Sequence, residues 1–212
     1  MIKAVIFDLD GVLVDARELH YEALNRALEK YDCVITRDEH LSTYDGLPTE
    51  KKLELLTENK NLSPKVYGNI WSDKQFQTQE IIKNEFGEDS RLISVLSRLK
   101  EDGYNICVCS NSIRDTTKLM LEQRGFMRYM DFFISNQDVK NPKPNPEMFL
   151  KAMVNWGLSP KECVIVEDSH YGRQAAFDSG AHLCAVENTE QVTYSRINST
   201  IRDSENKNKS KE

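Results

Sequence analysis

Residues 8–15 read Asp-Leu-Asp-Gly-Val-Leu-Val-Asp and follow an apolar, β-branched run over residues 2–7. Such a run is the pattern of a strand buried on both faces of a parallel sheet. In extended backbone, residues i and i+2 point to the same side, so Asp8 and Asp10 emerge together where the strand stops. Two carboxylates so placed repel each other unless a proton or a cation separates them, and a hard, oxygen-seeking ion such as Mg²⁺ suits the pair. Two acids ending a strand in a solvated turn would read the same way, and this motif alone leaves both readings open.

Three further places carry chemistry. The run Ile106-Cys107-Val108-Cys109 ends in Ser110-Asn111-Ser112, ahead of a helical segment from about Ile113. A hydroxyl and unbonded N–H groups at a helix N-terminus form an anion site, although Ser112 as a simple helix cap explains the same residues. In Asn141-Pro142-Lys143-Pro144-Asn145-Pro146, prolines at alternate positions restrict the backbone around one ammonium group. Rigid presentation of a cation suits a fixed anionic partner, the alternative being a proline-rich surface loop. Finally, Val164-Ile165-Val166 ends in Glu167-Asp168-Ser169. These acids either complete a metal site begun at Asp8 or merely cap the next helix.

The elements that must position these groups are legible. Short apolar runs recur at 104–110, 132–135, 163–166 and 182–186, separated by segments of helical character, and that alternation means an α/β sheet. Asn145-Pro146-Glu147 and Gly157 bracket one helix, and Ser169 and Gly180 bracket another. Residues 15–88 contain no strand run, and Leu19, Leu24, Leu28, Leu53, Leu56, Ile70 and Phe76 keep helical spacing. This predicts a core domain of residues 1–14 and 89–201 and a helical insert of residues 15–88, broken at Asp45-Gly46-Leu47-Pro48. An insert at that point reads as a lid over the sheet's carboxyl edge, where such folds bind ligands. Residues 202–212 are charged and aperiodic and are expected to be disordered.

Composition narrows the partners. The 212 residues carry 34 Asp+Glu against 28 Lys+Arg, a formal charge of −6, so no basic excess serves a nucleic-acid backbone. No apolar run approaches the roughly 20 residues of a membrane span. The N-terminal run meets Asp8 and Asp10 too soon for a signal peptide, and the cytoplasm is the expected location. Cys33, Cys107, Cys109, Cys163 and Cys184 show no paired spacing and read as small buried hydrophobes in a reducing compartment.

Taken together, a DxD near the N-terminus, a Ser ending the next strand, then Lys, then an acidic pair resembles the haloacid dehalogenase superfamily, up to about residue 187. The insert after the first strand resembles the β-phosphoglucomutase and phosphoglycolate-phosphatase-like groups. The resemblance implies a Rossmann-like three-layer parallel-sheet core with an all-helical cap. It implies Asp8 as nucleophile forming an aspartyl-phosphate, Asp10 as general acid/base, and phosphate held by Lys143 and by groups at Ser110 and Asn111. It also implies Mg²⁺ held by Asp8, by the backbone carbonyl at Asp10, and by Asp168 with Glu167 beside it. Dehalogenation needs no acid at Asp10, because halide leaves without a proton, so phosphoryl transfer is favoured.

The implied activity is that of a Mg²⁺-dependent phosphoric monoester hydrolase acting on a small phosphorylated metabolite such as a sugar phosphate. A phosphosugar mutase and a non-catalytic binding protein on the same fold are the rivals. In the cap, His20 resembles a proton-relaying histidine, or else faces the core from its helix. At Gly46-Leu47-Pro48-Thr49, Thr49 stands where the mutases carry an Arg for the second anion, which counts against a bisphosphate intermediate. Lys51, Lys52 and Lys74 either compensate or form a solvated face, and no apolar setting suits one of them to imine chemistry. Ser90-Arg91 replaces the usual Pro-Gly, leaving Arg91 as a substrate contact or a surface residue, and no sixth strand is found after Val186.

Overall fold

Residues 1–44 and 47–209 are described by the computed structural model, which divides into a unit of Met1–Asp15 with Gly87–Glu212 and a unit of Ala16–Phe86. The first apolar run forms β1 (Ala4–Phe7), with every residue buried. The others form β2 (Asn105–Cys109), β3 (Phe132–Ile134), β4 (Cys163–Glu167) and β5 (His182–Ala185). All pair in parallel in the order β3-β2-β1-β4-β5. Because β1 lies centrally, its side chains are covered on both faces, which is why its sequence does not alternate. Phe7 is in register with Val108 on one side and Val166 on the other, so the residues after these three strands share one sheet edge.

The unit Ala16–Phe86 is helical: α1 (Arg17–Leu28), a short α2 (Arg37–Glu39), α3 (Thr49–Lys60) and α4 (Tyr67–Glu85). Leu24, Ala27, Leu28, Cys33, Ile35, Tyr44, Leu53, Leu56, Leu62 and Ile70 form its own buried cluster. Phe76 lies on α4, as its helical spacing implies, with its side chain exposed. Asp45 and Gly46 of the expected break lie outside the described residues.

Around the sheet lie α5 (Ser90–Glu101), α6 (Arg114–Gln123), α7 (Glu147–Trp156), α8 (His170–Ser179) and α9 (Tyr194–Lys209). Ala4, Ile6, Cys107, Cys109, Cys163 and Ile165 on one sheet face pack with Met148, Phe149, Ala152 and Met153 of α7 and Ala175 and Ala176 of α8. All five cysteines are buried thiols. Gly157 and Gly180 end α7 and α8 in the left-handed conformation. Asn145 does supply an oxygen to the start of α7, accepting the Glu147 N–H at 3.0 Å, but the helix begins one residue after Pro146.

Residues 202–209 are helical in place of the expected disorder. The stripe of Ile197 and Ile201 on α9 continues through buried Ser204, whose hydroxyl donates to Thr200 O at 2.7 Å. Glu205 accepts the Ile2 N–H at 3.0 Å, so contacts from the far end of the chain supply the order that local composition does not. After β5 the described chain makes a 3₁₀ turn (Thr189–Gln191) and then α9, with no further strand among the described residues.

Candidate active site

The edge after β1, β2 and β4 gathers the predicted core-unit residues. Asp8 continues the ladder, its N–H donating to Val166 O at 3.0 Å, and its side chain is buried. The chain then turns at Gly11, where φ is +87° and a Cβ would stand 2.1 Å from Asp168 Oδ2. Only glycine satisfies both the backbone and the space there.

Lys143 Nζ bridges two acids, donating to Asp8 Oδ1 at 2.5 Å and Glu167 Oε2 at 2.7 Å. Its position is set from behind. The Asn111 side chain grips the Lys143 backbone at both ends, with Nδ2 donating to Lys143 O at 3.1 Å and Oδ1 accepting Lys143 N–H at 3.0 Å. Glu147 accepts the N–H groups of Lys140 and Asn141 at 2.8 and 2.9 Å, anchoring the loop's start.

Glu167 is fully buried, and its Oε1 accepts the Asp168 N–H, the Ser169 N–H and the Ser169 hydroxyl at 3.1, 3.0 and 2.9 Å. A Cβ on Gly172 would lie 1.9 Å from the Glu167 carboxyl carbon, so α8 needs glycine in its first turn to admit this acid. Ser169 also caps α8 by accepting the Gly172 N–H at 3.0 Å, so the capping and site readings of this motif hold together.

Three carboxylates, Asp8, Glu167 and Asp168, face one ammonium. Burial works against the charge on Lys143, but Asp8 and Glu167 outweigh it and hold its pKa above the lysine range. Burial and the charge of Glu167 push Asp8 well above the usual carboxylate range and Asp168 up to about 6. Burial also opposes ionisation of Glu167, yet Lys143 and the donors at Ser169 hold it below the ordinary value. These three acids offer oxygens within 4.8 Å of one another, the only such group among the described residues. Asp168 Oδ1 is buried with no hydrogen-bond partner, whereas both Glu167 oxygens already accept. The excess negative charge and the orphaned oxygen fit a cation at Asp8 and Asp168, with Glu167 acting through Lys143.

Asp10 is not one of these three acids; its Oδ2 accepts the Ser112 hydroxyl at 2.8 Å. Ser110 is fully buried and its Oγ accepts the Ser112 N–H at 3.0 Å. Ser112 therefore does not cap α6, which starts at Arg114 without a side-chain cap. Arg91 donates to the carbonyls of Val192 and Thr189 at 3.1 and 2.9 Å, a tie within the core unit. In the helical unit, His20 on α1 has Nδ1 3.5 Å from Lys74 Nζ, Thr49 opens α3, and Lys51 pairs with Glu54 at 2.7 Å. Gly46 lies outside the described residues.

Sequence reasoning missed Gly172, Glu147 and the second roles of Asn111 and Ser112. Gly172 left a signal, since a glycine inside a helix costs stability unless something needs its space. The amide clamp and the hydroxyl bond left none, because their partners lie 32 and 102 positions away.

The sequence profile of haloacid dehalogenase-like hydrolases matches residues 5–186. The chain is similar to a phosphorylated carbohydrates phosphatase of Thermotoga maritima, 28% identical over 182 residues that cover 84% of this chain and 82% of that protein. It is similar to pyrophosphatase PpaX of Bacillus velezensis, 25% identical over 195 residues, covering 87% and 83%. In structure it resembles a β-phosphoglucomutase from Clostridium difficile, with TM-score 0.78 and 24% identity over 96% of this chain and 98% of the other, a likeness of fold. The matched span runs from within β1 to just past β5 and holds all four acids and the lysine, and the chain belongs to the haloacid dehalogenase-like hydrolase family.

Proposed function

We propose that the chain is a Mg²⁺-dependent phosphatase of a small phosphorylated metabolite, working through an aspartyl-phosphate on Asp8. The observation that carries this reading is a buried carboxylate held by a lysine that a second buried acid shares, beside an acid oxygen with no partner. An Asp8 oxygen attacks phosphorus, the bond from phosphorus to the ester oxygen breaks, and the Asp10 carboxyl gives that oxygen its proton, releasing an alcohol. Asp10, now a carboxylate, takes a proton from water as the water oxygen attacks the phosphoryl group, and Asp8 leaves with inorganic phosphate as the product.

Lys143 places its charge on the phosphoryl oxygens, and in the β2–α6 loop the Ser110 hydroxyl and the Asn111 backbone N–H offer further donors. Asp8, Asp168 and the backbone carbonyl of Asp10 would hold Mg²⁺, which would supply charge neutralisation at phosphorus. The similarity to a phosphorylated carbohydrates phosphatase supports a sugar phosphate as substrate, and the similarity to a pyrophosphatase adds pyrophosphate to the panel.

The test is phosphate release from a panel of sugar phosphates, phosphorylated acids, nucleotides and pyrophosphate, with Mg²⁺ or with chelator, alongside Asp8→Asn. Release by wild type with metal only, and none from Asp8→Asn, is expected. Metal-independent release, or release by Asp8→Asn, overturns the mechanism. Sugar phosphate isomerised without phosphate release would instead establish the mutase.

A further inference from the structure

We infer that Ser112 is a positioning residue for proton transfer by Asp10, an inference that rests on the acid/base role proposed above for Asp10. The Ser112 hydroxyl donates to Asp10 Oδ2 at 2.8 Å, across 102 positions of chain. Its aim is built in. The Ser112 N–H is tied to Ser110 Oγ at 3.0 Å, and fully buried Ser110 is tied in turn to the β3 end by its N–H on Ile134 O at 2.9 Å. The ordinary duty of a serine at this point, capping the helix, is absent: Ile113 is the N-cap residue of α6, and the Arg114 N–H goes to Gln137 Oε1 at 2.9 Å.

On the other side, the turn after β1 is rigid. Asp10 bridges Val14, and the Gly11 N–H donates to Val14 O at 2.7 Å, so the Asp10 backbone is fixed while its side chain retains two rotatable bonds. A hydroxyl on one carboxyl oxygen fixes the plane of the group and therefore the line along which the acid hands over its proton. Ser112 meets no reacting atom on this account; it acts through Asp10.

A general acid matters most where the leaving oxygen is basic. The loss on removing Ser112 must therefore depend on the leaving group, which loss of phosphate affinity or of folding would not produce. The experiment compares kcat/KM, which reports the step that expels the alcohol, for 4-nitrophenyl phosphate and phenyl phosphate. Nitrophenolate departs readily, whereas the phenol group has a pKa of about 10. For Ser112→Ala the loss on phenyl phosphate is expected to exceed that on the nitrophenyl ester by about tenfold, a fraction of what a general acid contributes. Ser112→Thr, which keeps the hydroxyl, should restore the wild-type ratio, and Ser112→Ala should add no further ester dependence in an Asp10→Asn background.

Equal losses on the two esters, or none, overturn the inference when Asp10→Asn itself shows ester dependence. If Asp10→Asn shows none, it is the acid/base assignment of Asp10 that falls, and the inference falls with it. Activity of Ser112→Ala on the nitrophenyl ester reports that the variant is folded.

Discussion

At the scale of single residues the site depends as much on side chains that are missing as on those present. Gly172 leaves room for the Glu167 carboxyl, and Gly11 leaves room for Asp168. Gly172→Ala is expected to displace Glu167 from Lys143, lowering kcat at least about tenfold and stability by about 1–3 kcal/mol, the usual range for overpacking; paired kinetics and urea unfolding check both. Gly11→Ala should strike Asp168 instead and weaken Mg²⁺ binding, read by calorimetric titration. The four acids were legible because they follow apolar strand runs and Lys143 because prolines flank it; each has an ordinary explanation alone, and it was their order along the chain that pointed to one site. Asn111 and Ser112 were only half legible, since an amide or hydroxyl ahead of a helix looks the same whether it caps that helix or reaches a distant partner.

Among elements, the central strands read clearly and the chain's end did not. β1, β2 and β4 are apolar because they are covered on both sides, so their bounds followed within one or two residues. In α9 the structural signal is a single stripe ending in a serine, and the last turns are held by contacts with the N-terminus that no local pattern encodes. Removing residues 202–212 should therefore lower unfolding stability by about 1–2 kcal/mol, the scale of a hydrogen bond and a buried contact, while leaving kcat unchanged; thermal melts and turnover test this. The start of β4 is joined to β1 by Glu162, which pairs with Lys3 at 2.7 Å and accepts the N–H and hydroxyl of Ser159. The Lys3 contact and these donors lower its pKa from 4.5 to about 2. A depressed carboxylate adds stability above its unfolded pKa and loses it as pH falls through the folded one. Acid unfolding of Glu162→Gln should thus be flatter than that of wild type between pH 4.5 and about 2.

For the whole molecule, the imbalance of three acids against one ammonium predicts that the Mg²⁺ proposed for this site would stabilise the fold. Mg²⁺ at about a hundred times its dissociation constant should add about 2.7 kcal/mol to unfolding stability, chelator should remove it, and Asp168→Asn should abolish the difference. Scanning calorimetry in both conditions would reveal it. The order of the strands has a separate effect on how the protein is made. β1 is translated before the four other strands, yet it is the central one, and its neighbours β2 and β4 follow only after the whole of Ala16–Phe86. A strand that sticky must wait, unpaired, until β2 and β4 are made, while the helical segment behind it already has an apolar cluster of its own to bury. The nascent chain thus carries an aggregation hazard in β1, and the speed of elongation from there to the end of β4 sets how long that hazard lasts.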